Sequence, residues 1–94
     1  MATTTSTYRL GPHQSAAFTG TAGTVTNAFG AGTTAVRVIA TSACYLLIGN
    51  SPTATTSDVY VAADKPEVFL VTPGQKASAV QVSAAGTLHV TELS

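Results

Sequence analysis

The chain has 94 residues, four basic and four acidic side chains and one cysteine, which sets narrow limits on what it can do. A chain this short holds one core, a lone cysteine rules out an internal disulfide, and so few charges leave no cationic footprint for a nucleic-acid backbone. No run reaches the roughly 18–20 apolar residues of a membrane span, so neither nucleic acid nor a bilayer is expected as a direct partner.

A domain of this size hides only about 60–65% of its extended surface on folding, so disulfides, metals or partner subunits usually help. Cys44 sits in the most apolar run of the chain, which predicts a buried, inert thiol in a protein folded under reducing conditions. The first residues, MATTTSTYRLGPHQ, lack a basic stretch followed by an apolar one, so synthesis in the cytosol is expected.

Taken in order, residues 1–7 form a polar, Thr-rich tail. Tyr8-Arg9-Leu10 begins an alternation that Gly11-Pro12 should stop, giving an N-terminal arm over 1–14 and a domain over 15–94. Residues 14–19 predict a short strand with Ala16 and Phe18 inward. Gly20, Gly23, Gly30 and Gly32 then punctuate a stretch that holds short edge strands between turns, anchored by Val25 and Phe29.

The stretch 34–49, TAVRVIATSACYLLIG, carries the densest strand signal. Val36, Val38 and Ala40 alternate with Arg37 and Ile39, whereas 44–48 is apolar at every position. The short polar link Thr41-Ser42 predicts an antiparallel hairpin. Residues 50–57, NSPTATTS, read as an exposed loop. Two short strands follow at 58–62 and 67–71, separated by a turn at Pro66, and the second is apolar on both sides. Thr72-Pro73-Gly74-Gln75 fits a type II turn. In 76–83, KASAVQVS, Val80 and Val82 are expected inward, with Ala79 and Gln81 outward. The final strand, 87–93, places Leu88 and Val90 inward and His89 and Thr91 outward. No segment has helical apolar spacing. Strands at regular spacing between Gly and Pro turns predict an all-β fold, a single small β-sandwich or jelly-roll-like barrel of antiparallel strands.

Chemistry-bearing residues are sparse. His13, Cys44 and His89 lie far apart with no paired metal-ligand spacing, so no metal or other cofactor is expected; His89 reads as a strand-surface residue and His13 as a loop residue. Ser51, in Gly49-Asn50-Ser51-Pro52, lacks the second glycine and following helix of a nucleophile elbow. Paired carboxylates for acid–base work could come only from Asp58, Asp64, Glu67 or Glu92, and Asp64-Lys65 and Glu67 around Pro66 read as a charged, solubilising turn. Exposed Tyr8, Tyr45 or Tyr60 offer stacking surfaces for a sugar, or packing at strand edges. No catalytic residue is predicted, and an enzyme is not expected.

The positive signal is surplus apolar strand surface. If Cys44, Leu46 and Ile48 fill the core, Tyr45 and Leu47 point the other way, as does one of the pairs Val68/Leu70 and Phe69/Val71. Tyr45, Leu47, Val68, Phe69, Leu70 and Val71 are therefore the candidate interface residues, unless the N-terminal third folds over them.

Over 35–93 the landmarks Val36-Arg37-Val38, Cys44-Tyr45, Pro52-Thr53-Ala54-Thr55, Pro66-Glu67, Pro73-Gly74-Gln75-Lys76 and Val90-Thr91-Glu92 follow in an order and spacing that resemble small structural proteins of tailed bacteriophages, of the capsid decoration (cement) type. The front third is not covered. The resemblance implies a non-enzymatic virion protein with a sandwich or jelly-roll fold, made in the host cytoplasm. It would sit on the capsid surface as a homo-oligomer, commonly a trimer, bound to the major capsid protein. The alternatives are a carbohydrate-binding β-module of a tail or fibre, and a head–tail or tail-tube component.

Overall fold

The computed structural model describes residues 9–93. The first eight residues of the predicted arm, Tyr8 included, lie outside the described residues. Eight strands follow one another: β1 Leu10–Phe18, β2 Gly23–Thr24, β3 Ala35–Ala40, β4 Cys44–Gly49, β5 Val59–Val61, β6 Glu67–Leu70, β7 Lys76–Gln81 and β8 Gly86–Leu93. There is no helix among the described residues.

The strands pair antiparallel from the outside of the sequence inward: β1 with β8, β2 with β7, β3 with β6 and β4 with β5. Two further pairings, β3 with β8 and β4 with β7, close this nested ribbon into two four-stranded sheets. Their orders are β1-β8-β3-β6 (sheet A) and β2-β7-β4-β5 (sheet B). That is the topology of a jelly roll, a long hairpin wrapped so that its two halves face each other. Between the sheets lies one core, including Phe18, Val25, Phe29, Val36, Val38, Cys44, Leu46, Val61, Leu88 and Val90, all buried.

The predicted hairpin over 34–49 does not form. β3 and β4 are consecutive, but they belong to opposite sheets. The inward sets Val36/Val38/Ala40 and Cys44/Leu46 are those expected from the alternation. Placed side by side in one sheet they would both await a cover; placed in facing sheets they cover each other. The link is held by the β7–β8 turn: Thr41 N–H donates to the Thr87 carbonyl (3.0 Å), Thr87 N–H to Thr41 Oγ1 (2.8 Å), and Ser42 Oγ to the Ala85 carbonyl (3.0 Å).

Gly11-Pro12 does not end the first strand. β1 runs through both residues, with a register irregularity between Leu10 and His13. Leu10–Gln14, read from the sequence as arm, therefore belong to β1. Strand β1 is an edge of sheet A, where a proline is tolerated because one side of the strand has no ladder to serve. Farther along, Gln14 and Asn27 exchange two hydrogen bonds (2.8 and 2.9 Å), pinning the 25–34 loop. Gly23 in β2 has a steric reason: a Cβ there would stand 1.9 Å from the Ala17 carbonyl oxygen. The predicted type II turn forms, with Gly74 at φ 91° and Gln75 N–H donating to the Thr72 carbonyl (3.2 Å).

Strand β7 has the opposite phase to the expected one. Ala77 and Ala79 face the core, while Val82 is exposed. Ser78 and Val80 point to the outer face of sheet B, yet both are buried. The loop 50–57 is the reason for part of this cover: it folds back over that face rather than standing free, with Pro52 and Ala54 buried. Ser78 Oγ accepts from Ala54 N–H (3.0 Å), and Thr24 Oγ1 lies 3.1 Å from Ser78 Oγ while donating to the Pro52 carbonyl (3.2 Å). Two alternating sets of small residues gave the sequence no way to choose a phase, and a one-residue slip exchanges the faces. The polar link to the loop makes the outward serine the better fit.

Candidate functional site

Each sheet has two edges. On one side of the sandwich these are β1 and β2; on the other they are β6 and β5. Along the second side the sandwich is open. A cleft of about 270 Å³ there is lined by Leu46, Leu47 and Ile48 from β4, Asp58 and Val59 beside and in β5, and Phe69 and Leu70 from β6. Only Asp58 among these is charged, and its carboxylate is engaged by Thr55, accepting from the backbone N–H at 2.7 Å and the hydroxyl at 3.2 Å.

The apolar character of the rim follows from the sequence. Strand β6 alternates Val68 and Leu70 outward with Phe69 inward, and its partners on β3 confirm the faces: Val36 stands opposite Phe69 and Arg37 opposite Val68. Phe69 and the following Val71 are half-buried and pack against the core. Of the two pairs left open by the sequence, Val68/Leu70 is thus the outward one, at 52% and 82% exposure. Tyr45 and Leu47 do point away from the core on the outer face of sheet B, half-buried. The Tyr45 ring meets Tyr60 edge-on, centroids 6.1 Å apart at 68°, a favourable aromatic arrangement. Sequence reading missed Val59, which is 59% exposed beside Tyr60 at 56%. Its signal was present in DVYV, three β-forming apolar residues in a strand too short to bury both faces.

Residues considered for chemistry are distributed differently. Cys44 is buried in the core, and burial pushes its thiol up to about 11, so thiolate chemistry is suppressed. Ser51 is exposed in the loop on sheet B, whereas both histidines lie on sheet A. Glu92 is buried; its Oε1 accepts from Gly30 N–H (2.9 Å) and from the Thr33 hydroxyl, closing the loop before β3. His13 is not a loop residue: it lies in β1, and its ring stacks on His89 of β8 with centroids 5.6 Å apart at 13°. Among the described residues no three His, Cys, Asp or Glu side chains converge, and every fully buried side-chain polar atom has a hydrogen-bond partner.

No protein-family model, curated protein or solved structure matches this chain.

Proposed function

We propose that this chain is a non-enzymatic structural subunit of a tailed-phage particle that decorates and stabilises the capsid, assembling as a homotrimer and binding the major capsid protein. The observation that carries the reading is the exposed apolar surface of the edge strands β5 and β6, where Val59, Tyr60, Val68 and Leu70 are each more than half exposed and Val59 and Leu70 line an apolar cleft. Several large apolar side chains left exposed along one side of a small domain point to an interaction site, and edge strands add unpaired backbone groups that favour pairing with another chain. The resemblance of residues 35–93 to phage decoration proteins selects the kind of assembly.

The mechanism is burial. At roughly 25 cal/mol per Å² of apolar area, covering a modest rim supplies several kcal/mol before association costs. Repetition over a symmetric shell turns a weak single contact into firm attachment. Mixing the purified chain with undecorated heads tests this: co-sedimentation and a rise in the heat resistance of the heads are expected, and heads that sediment alone with unchanged heat resistance would defeat the reading.

The Tyr45–Tyr60 pair favours a second reading, a carbohydrate-binding module, because the Tyr60 ring is more than half exposed. That reading requires glycan binding lost in Tyr60→Ala and no attachment to bare heads. A tail-tube role requires rings in solution rather than trimers.

A further inference from the structure

We propose that His13 and His89 form a two-histidine site for a divalent transition-metal ion on the outer face of sheet A. The sequence separates these residues by most of the chain; the pairing of the first strand with the last brings them together. In the β1–β8 register His13 stands opposite Thr91 and His89 opposite Ser15, so the histidines are diagonal neighbours on one face. Diagonal pairs across a sheet lie about 7–8 Å apart at the backbone, within reach of two long side chains.

The ring geometry is close to what an ion needs. Two imidazoles on one tetrahedral ion hold their centroids about 5 Å apart, given metal–nitrogen bonds near 2 Å. Here the separation is 5.6 Å. The rings are nearly parallel, so binding requires rotation about the Cβ–Cγ bonds more than any movement of backbone. His13 is exposed and His89 half-buried, which leaves the outer ring room to turn.

Thr91 supplies the positioning contact. His13 Nδ1 lies 3.0 Å from Thr91 Oγ1. Of the two tautomers this contact permits, the metal-competent one has Nδ1–H donating to the hydroxyl, which leaves the Nε2 lone pair free. A ligating histidine whose other nitrogen is held in this way is the usual arrangement at protein metal sites. Imidazole selects zinc, nickel and copper over magnesium or calcium. With two protein ligands, solvent fills the remaining positions, so the site is open and exchangeable. Arg37 shares this face, opposite Thr91 on β3, and its charge opposes a cation to an extent that salt screens.

Zinc titration of the full chain, followed by calorimetry and by imidazole ¹⁵N spectra, tests the proposal. One saturating ion per chain is expected, with the Nε2 signal of His13 shifted and its Nδ1 still protonated. His13→Ala and His89→Ala should each weaken binding at least about tenfold, and Thr91→Val by about tenfold, the usual cost of losing an orienting partner. Circular dichroism checks that each variant retains its fold. If a variant unfolds, the wild-type spectra decide the matter alone. Absence of saturable binding, binding unchanged in both histidine variants, or shifts confined to other residues would overturn the site.

Discussion

Leu70→Ala separates the role of the rim from the stability of the domain. Leu70 is 82% exposed at the end of edge strand β6, so in the isolated chain its side chain buries little. Truncation removes three carbons, each worth about 0.8 kcal/mol when taken out of water. Because most of that surface is still wet in the single subunit, roughly 2 kcal/mol becomes available only when something covers it. Loss of this amount weakens a contact about 30-fold. The unfolding free energy of the dissociated subunit should move by no more than about 0.5 kcal/mol, the usual range for surface substitutions. Sedimentation velocity across a concentration series measures association, and urea unfolding of the dilute subunit measures stability. Association unchanged in Leu70→Ala and also in Val68→Asp, with both variants folded, would refute the reasoning. So would a large loss of stability at low concentration, because it would mean that the rim supports the fold and not a partner.

Ser78→Ala should destabilise the domain by about 1–3 kcal/mol in urea unfolding, since it removes the buried acceptor of Ala54 N–H and strands that donor; a loss below about 0.5 kcal/mol would show that the loop does not depend on it. Gly23→Ala should be among the most harmful small substitutions, because the new Cβ collides with the Ala17 backbone at 1.9 Å. Its thermal midpoint is expected to fall well below that of Gly32→Ala, where a Cβ meets nothing within 4 Å. Burial raises the Cys44 thiol from 9.0 to about 11. Below pH 9 both folded and unfolded thiols keep their proton and no penalty arises. Between pH 9 and 11 the unfolded thiol ionises first, so stability falls as pH rises, by roughly 2–3 kcal/mol in total. Cys44→Ala should lack this component of the pH slope; parallel slopes in wild type and variant would contradict it.

The strand content of this protein was legible because its apolar residues alternate or run continuously between Gly and Pro turns. Val36, Val38, Cys44, Leu46, Leu88 and Val90 face inward as their spacing predicts. What the sequence did not reveal was which strand each one would meet. Thr41-Ser42 serves equally well as the tip of a hairpin or as a bridge between sheets. The choice was made by β7 and β8, which lie some 35 to 50 residues farther on. In KASAVQVS, alanine and serine are small enough for either face, and a hydrogen bond to the 50–57 loop settled the phase. Pro12 looked like a stop because edge position is a property of the sheet, not of the residue. The candidate interface was half-visible: the outer residues of β6 were named but not separated from the inner ones. His13 and His89 gave no local signal at all, since their proximity exists only once the chain's two ends have paired.

The nested order of pairing also governs when the domain can exist. Strand β8 lies in the middle of sheet A, between β1 and β3, so that sheet has no centre until β8 has been made and has paired. The exposed apolar edge on β6 hangs from β3, which hangs in turn from β8. A chain in which β8 has not yet paired therefore lacks a supported β6 edge, and non-local pairing of this kind makes closure of sheet A slow compared with local folding. The exposed edge of β6 is therefore presented in its final form only by a chain in which β8 has already found its place.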